Sequence, residues 1–464
     1  MIKKILTNSA IYGLAPHVPR IVSVALLPIM TAHLTDVDYG IAGTIAAYTM
    51  ALSALSTLGV SAYLQVNFFK AKYQYKILWR EIYGFLQYWM IVFSIIQSFV
   101  LYFVIPDEAL DNRWLILLLT NFNGVIFGPS GALGALYYQL CQRPIPIAIR
   151  SIASGLLSVV VNYVLIVIFE WGYMGWYVGS FASTFLMNSI YWYDLNFKLG
   201  FRPIYTPKRR TIKKTLQVSL PVVPHYYSAY LITTSNRVVM DYTNYKIGEI
   251  GQFNLAQQFV TMMDSFVYAV ERAIGPLCME GIRYNKEEEV KKEIFLFALL
   301  TYSGTFLFAI WSKEIFELLI KNEVLATSYP IAALLSLALC YRPAYIAASN
   351  VFFYYENTKS LLGITFTAGL IALGLNILVI PWGGLWGAAI ITYVAFLYQG
   401  YSGFFYRFFK ESSKVSYPYV KLFIAQLLVT VVALLCLDLF VLFKVLISIL
   451  WGLGAFYSLK RFGF

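Results

Sequence analysis

The 464-residue chain is 59% hydrophobic and 18% aromatic, with only 12% charged residues and a mean hydropathy of +0.67. A soluble globular protein carries about 25% charged residues, so these charges are too few to cover a water-facing surface, and an all-α polytopic membrane protein is expected. The long apolar runs exclude an outer-membrane barrel, whose short strands alternate in polarity.

Runs of about 20 apolar residues cross a bilayer. The sequence predicts 14 of them, at roughly 9–33, 40–66, 81–104, 114–139, 145–168, 174–197, 214–241, 250–275, 291–311, 328–354, 360–380, 384–406, 418–437 and 439–459. The last two form a hairpin around Asp438, and the alternative count is 12 spans plus an unusual C-terminal pair. The stretch after Lys3 and Lys4 is too long for a cleavable signal peptide and lacks a small-residue cleavage site.

Span one carries Pro16, His17, Pro19 and Arg20 near its middle. Arg20 lies roughly 17 Å into the span at 1.5 Å per residue. A charge that deep costs at least roughly 2.5–3.5 kcal/mol and usually faces protein or a wet cavity. Gly13, His17, Arg20 and Ser23 share one helical face. Arg20 therefore either lines a cavity or pairs with an acid for packing. Arg150, at the start of span five, either snorkels to the cytoplasmic surface or makes the first capture of an anionic ligand.

Pro224-His225 in span seven echoes Pro16-His17, so His17 and His225 are read either as packing residues or as a gating, proton-sensing pair. Arg237 and Asp241, four apart at the outer end of that span, have the spacing of a local ion pair, with a release site as the alternative. In span eight Asn254, Gln257, Thr261, Asp264, Tyr268 and Arg272 recur at three- or four-residue steps, a stripe turned to water or to protein. Asp264 is deep. It could balance Arg20 or Arg342, or form a proton or sodium site. Glu271 and Arg272 lie near the cytoplasmic end and read as snorkelling. In span ten Arg342 precedes Pro343, where a local helix break would free backbone groups for a hydrated cavity. Ser336, Arg342, Tyr345 and Ser349 fall on one side of that span.

Placing the N-terminus inside puts 25 of the 35 Lys and Arg in cytoplasmic loops and 5 outside, Lys444 among the latter. Cytoplasmic loops carry such an excess, so both termini are expected in the cytoplasm. The net charge of +12 then orients the protein beside anionic lipid, and no nucleic-acid partner is expected. The cysteines, Cys141, Cys278, Cys340 and Cys436, have neither metal spacing nor a disulfide framework. No P-loop, HExxH or GxSxG pattern is present. The expectation is therefore no cofactor, no metal, no catalytic residue and no enzymatic activity.

The two halves echo each other. Asn162 to Gly175 reads NYVLIVIFEWGYMG and Asn376 to Gly387 reads NILVIPWGGLWG, with Gly155 and Gly369 each seven residues before the asparagine. Together with the Pro-His pairs, these matches suggest a duplication. The expected domains are a six-helix lobe at 1–198, a basic cytoplasmic linker at 199–213, a second six-helix lobe at 214–408, and an extra transmembrane hairpin at 409–464. Six spans per half gives parallel repeats, the arrangement of a two-lobed transporter with its substrate between the halves.

Leu34-Thr35-Asp36-Val37-Asp38-Tyr39-Gly40, just after span one, resembles the L-[ST]-x-x-x-[FY]-G turn of polysaccharide transporters. Asn376 to Ala389, with Ile380-Pro381, Gly384 and Gly387-Ala388-Ala389, is similar to the same group. The resemblance is to the polysaccharide transporter branch of the multidrug/oligosaccharidyl-lipid/polysaccharide exporter superfamily, which includes Wzx-type O-antigen and capsule flippases, and it extends over the whole chain. It implies a V-shaped fold in the bacterial cytoplasmic (inner) membrane, and translocation of a polyprenyl-diphosphate-linked oligosaccharide by alternating access. A polysaccharide polymerase and a chain-length regulator are the implied protein partners, and coupling to H+ or Na+ stays open. On this reading Arg20, Arg342, His17, Asp264, Gln257, Asn254 and Tyr345 line the substrate cavity. Arg150, His225, Arg237, Asp241 and Arg272 serve first capture or gating. Arginine suits a diphosphate because its planar fork donates paired hydrogen bonds and stays charged. The rival readings are a multidrug cation antiporter of the same superfamily, which would need an acidic pocket, and a polysaccharide polymerase, which would need a large outer loop.

Overall fold

The structure, a computed structural model, describes residues 17–70, 75–413 and 415–462, and every regular element among them is helical. The protein is a multi-pass membrane protein. Seven of its described helices are long and apolar enough to cross a bilayer, and a pair bent by 41° makes an eighth. The other predicted spans appear as shorter, broken or more polar helices. The chain divides into two compact units, Met1–Tyr227 and Ser228–Phe464.

The first unit contains α1 (His17–Ala32), α2 (Asp36–Ser56), α3 (Val60–Lys70), α4 (Tyr75–Val104), α5 (Arg113–Leu140), α6 (Pro144–Tyr163), α7 (Tyr173–Tyr193) and α8 (Arg209–Ser219). The start of α2 explains the motif after span one. Thr35 caps the helix by accepting from the Asp38 amide at 3.1 Å, and Asp38 accepts from the Thr35 amide at 2.8 Å. This reciprocal pair satisfies two amides that a helix start leaves open. The other oxygen of Asp38 accepts from the Tyr173 amide at 2.8 Å, which ties the start of α2 to the start of α7. Tyr39 then packs edge-on against Trp176, with ring centres 4.8 Å apart.

α6 runs into a π-helical turn at Val164–Ile168, and the chain reverses at Gly172, whose φ is +52° and ψ −134°. Only glycine adopts that conformation without strain. Segment 199–205 folds back on α4, with Arg80 Nε donating to the Arg202 carbonyl and the Ile204 amide donating to the Arg80 carbonyl. α8 follows, basic and amphipathic. Arg209, Arg210, Lys213 and Lys214 are exposed while Thr215 and Ser219 are buried, and no acidic residue occurs between Asp194 and Asp241. Such a helix suits a membrane surface. Its presence shortens span seven, which was expected at 214–241.

That span is also broken further on. α9 (Val223–Thr233) crosses the unit boundary and is followed by the short α10 (Ser235–Tyr242). The cause is local. Pro221 has no amide to donate at the first break, and at the second Thr233 and Ser235 turn their hydroxyls onto the carbonyls of Ala229 and Leu231.

The second unit continues with α11 (Ile247–Arg283), α12 (Glu287–Ile310), α13 (Ser312–Leu319), α14 (Glu323–Ala326), α15 (Tyr329–Ala338), α16 (Arg342–Tyr354) and α17 (Thr358–Tyr401). α17 kinks at Gly384, with φ +52° and ψ −138°, so the glycines 172 and 384 hold the same backbone conformation. A residue at or just before the start of the neighbouring helix latches onto each turn. Asp38 does so in the first unit. In the second, Tyr245 lies against Gly384 and donates its hydroxyl to the Ile380 carbonyl at 2.6 Å. Gly155 lies under Pro19 of α1, and Gly369 lies under Leu231 of α9. Each half therefore packs its first helix on its fifth at a matched glycine, where the missing side chain lets the backbones approach.

α18 (Arg407–Ser412), α19 (Tyr419–Leu435) and α20 (Val441–Phe462) complete the unit. α20 docks on α12 and α13 through Trp311 to Ser448 and Trp451 to Ser303, both at 3.0 Å, and through Lys444, which holds both carboxylate oxygens of Glu314 at 2.6 and 2.8 Å. Lys444 read as an outer-loop residue, yet its side chain is fully buried. It stands in the first turn of α20, facing α13 rather than solvent.

Candidate functional site

In the second unit the broken span ten places the most distinctive charge. α15 ends at Ala338, a 3-10 turn covers Leu339–Tyr341, and α16 restarts at Arg342 with Pro343 in its first turn. This is the break the sequence predicts. The turn directs the Arg342 side chain at α11, where Asp264 and Glu271 stand two helical turns apart on one face. Nη2 of Arg342 donates to the Asp264 carboxylate, and Nη1 donates to Glu271 Oε2 at 3.0 Å. Arg342 is 15% exposed, Glu271 22% and Asp264 40%. The arginine is enclosed while its acidic partners remain accessible. Glu271, read as snorkelling, is a second ligand of the same guanidinium.

The remaining predicted residues of this unit spread along the stripe. Tyr345 is half-buried one turn after Arg342, beside Tyr341 at 6.1 Å between ring centres. Gln257 is half-buried, with an Oε1 that accepts no hydrogen bond among the described residues. Asn254 is buried and accepts from Arg237 Nη1 at 2.7 Å. Arg237 is thereby drawn into the packing between α10 and α11. Asp241 follows one turn later on α10. Arg272 is exposed and covers the Tyr268 ring at 4.7 Å. Ser336 and Ser349 are both buried and donate to carbonyls of their own helices, and the 3-10 turn at Leu339–Tyr341 separates Ser336 from Arg342.

In the first unit, Arg20 stands at an exposed position of α1. Arg150 neither snorkels nor stands open. Its side chain is 10% exposed and donates to the Asp194 carboxylate. The guanidinium lies 4.6 Å from the Tyr138 ring centre and 4.4 Å from that of Tyr191. Tyr138 donates to Asp194 at 2.6 Å, and Lys198 approaches the same carboxylate at 3.0 Å. This cluster joins the ends of α5 and α7 to the start of α6. Its acidic and tyrosine members were not legible in the sequence. The side chains of His17 and His225 lie outside the described residues.

A family model described as polysaccharide biosynthesis protein matches residues 5–280. No curated protein matches the sequence. Solved structures share the fold at low identity. The lipid II flippase MurJ in an inward closed conformation superposes with a TM-score of 0.76 at 14% identity, over 97% of this chain and 98% of that one. An inward-facing multidrug resistance MATE transporter of the MOP superfamily gives 0.61 at 16% identity, over 87% and 96%. A MOP superfamily transporter from Pyrococcus furiosus, described as having a binding pocket of reversed polarity, gives 0.58 at 14% identity, over 86% and 93%.

Proposed function

The chain belongs to the polysaccharide biosynthesis protein family, and from that premise we propose that it is a flippase for polyprenyl-diphosphate-linked oligosaccharide repeat units. It would carry them from the cytoplasmic to the outer leaflet of the bacterial cytoplasmic membrane for surface polysaccharide assembly. The observation that carries the reading is Arg342, held between Asp264 and Glu271. A diphosphate must cross about 30 Å of hydrocarbon, so the protein has to supply a buried cation.

The mechanism follows from the pairing. In the resting state two carboxylates occupy the guanidinium fork and offset the cost of burying it. A diphosphate also presents paired anionic oxygens to the guanidinium fork, with more charge, so it takes the place of one carboxylate. The displaced Asp264 or Glu271 must then gain a proton or a sodium ion, or turn to water, and this gives the flippase a means of ion coupling. Arg20 supplies a second cation from the first half, and Arg272 and Arg150 lie on the cytoplasmic side. Alternating access would work between the lobes at 1–198 and 214–408, with the lipid tail left in the bilayer. A cation exporter would need Asp264 and Glu271 unneutralised, and Arg342 already occupies both.

Deletion of the gene in its source organism tests the reading. Lipid-linked repeat units are expected to accumulate on the cytoplasmic side while surface polymer is lost, and re-expression should reverse both. Normal polymer with no accumulated intermediate would remove the proposal.

A further inference from the structure

We infer that α8 and the turn after it form a discrete binding site for one anionic phospholipid of the surrounding bilayer. The inference goes beyond the flippase reading, since this lipid is not the cargo. α8 packs through Thr215 and Ser219, both buried, onto α3 and α4. It lies so close that a Cβ at Gly59, just before α3, would stand 2.7 Å from the Ser219 carbonyl oxygen. One face of the helix is therefore taken up by the protein, and the rest is turned outward.

The outward part has two ends of different chemistry. Arg209, Lys213 and Leu216 share a face by steps of four and three. With Ile212, Leu220 and Pro221 they line an open groove of 660 Å³. Arg209 and Lys213 mark one end. Leu216, Leu220 and Pro221 mark the other, with Leu220 roughly 17 Å from Arg209 at 1.5 Å per residue. Arg210 and Lys214 follow the two groove cations directly in the chain. All four cations are exposed, and no ion pair to any of them forms among the described residues. Val218 and Leu220 are exposed as well, although both are apolar.

A ligand for this groove must carry negative charge at one end and an apolar chain at the other. An anionic phospholipid has both. Its phosphate meets the exposed cations, as an anionic leaflet attracts basic segments, and one acyl chain covers Ile212, Leu216 and Leu220. Arginine and lysine suit the lining because their alkyl stems lie along an apolar wall while their charges stay in water. Free phosphate would leave the apolar end uncovered. A zwitterionic lipid would bring its own cation towards Arg209 and Lys213, which repel it.

The full-length protein, purified and stripped of lipid in a neutral detergent, would be titrated with three ligands and its bound lipid counted by native mass spectrometry. The ligands are phosphatidylglycerol, phosphatidylcholine with the same chains, and glycerol 3-phosphate. Two double variants each remove two cations. Arg209→Gln with Lys213→Gln acts in the groove, and Lys460→Gln with Arg461→Gln acts in the last turn of α20. All four positions are exposed, so both variants should keep the wild-type unfolding midpoint. One phosphatidylglycerol should bind wild type about tenfold tighter than phosphatidylcholine. The groove variant should lose that preference, the α20 variant should keep it, and glycerol 3-phosphate should not compete. Equal affinity of wild type for the two lipids would overturn the inference. So would an equal loss in both variants, which would mean attraction by net charge alone. Full competition by glycerol 3-phosphate would also overturn it, because the site would then take a phosphate without a chain. None of the three ligands is the flippase substrate, so each outcome leaves that reading as it stands.

Discussion

Each half of the molecule encloses an arginine beside carboxylate, and the two are built for different ends. Arg150 sits between two tyrosine rings and is bonded to Asp194, whose side chain is 2% exposed and also bonded to Tyr138 and Lys198. All the partners of Arg150 are inside the packing. Arg342 has a similar charge and burial, but its partner Asp264 is 40% exposed and it starts a helix instead of lying within one. The first arrangement fastens three helices together. The second holds a cation whose partners can be exchanged.

Stability measurements should separate the two most strongly at Arg150. Arg150→Gln leaves the buried Asp194 with only Tyr138 and the exposed Lys198 as partners, and breaking a buried pair costs about 3–5 kcal/mol. Thermal unfolding in detergent should show a large drop or a failure to accumulate folded protein. A loss no greater than that of an exposed pair such as Arg407 and Glu411 would contradict the closed cluster.

The matched turns extend the comparison. Gly172→Ala forces a side chain into a left-handed backbone and puts its Cβ 2.5 Å from Asp38 Oδ1, so it should cost about 1–3 kcal/mol. Gly384→Ala meets only the Tyr245 ring, at 3.2 Å, and should fall at the low end of that range, about 1 kcal/mol. Equal losses in paired unfolding curves would mean that Asp38 does not set the difference. Arg342→Gln should cost the fold least, about 1 kcal/mol or less, because Asp264 is accessible to solvent and accessible pairs contribute little. A loss as large as that of Arg150→Gln would make Arg342 a packing residue.

The sequence carried the architecture further than the site. The Trp-Gly turns, the paired asparagines and the glycines at 155 and 369 were legible because duplicated packing demands the same small residues at the same spacing. Pro343 marked the helix break at Arg342. What stayed hidden were partners distant in the chain. Asp194 lies 44 residues from Arg150, and Glu271 lies 71 from Arg342. Asp194 stands at a helix end and Glu271 near the end of its expected span at 250–275, where a charge is ordinarily solvated. The burial of Lys444 was hidden for a related reason, since it depends on where the final hairpin turns.

The central claim is that Arg342 carries substrate charge. Its most direct test is surface polymer in cells whose only copy is Arg342→Gln, measured beside wild type with protein levels matched. The account predicts that polymer is lost and cytoplasmic lipid-linked repeat units accumulate, although the variant unfolds within a few degrees of wild type. Wild-type polymer from a fully expressed Arg342→Gln protein would contradict it.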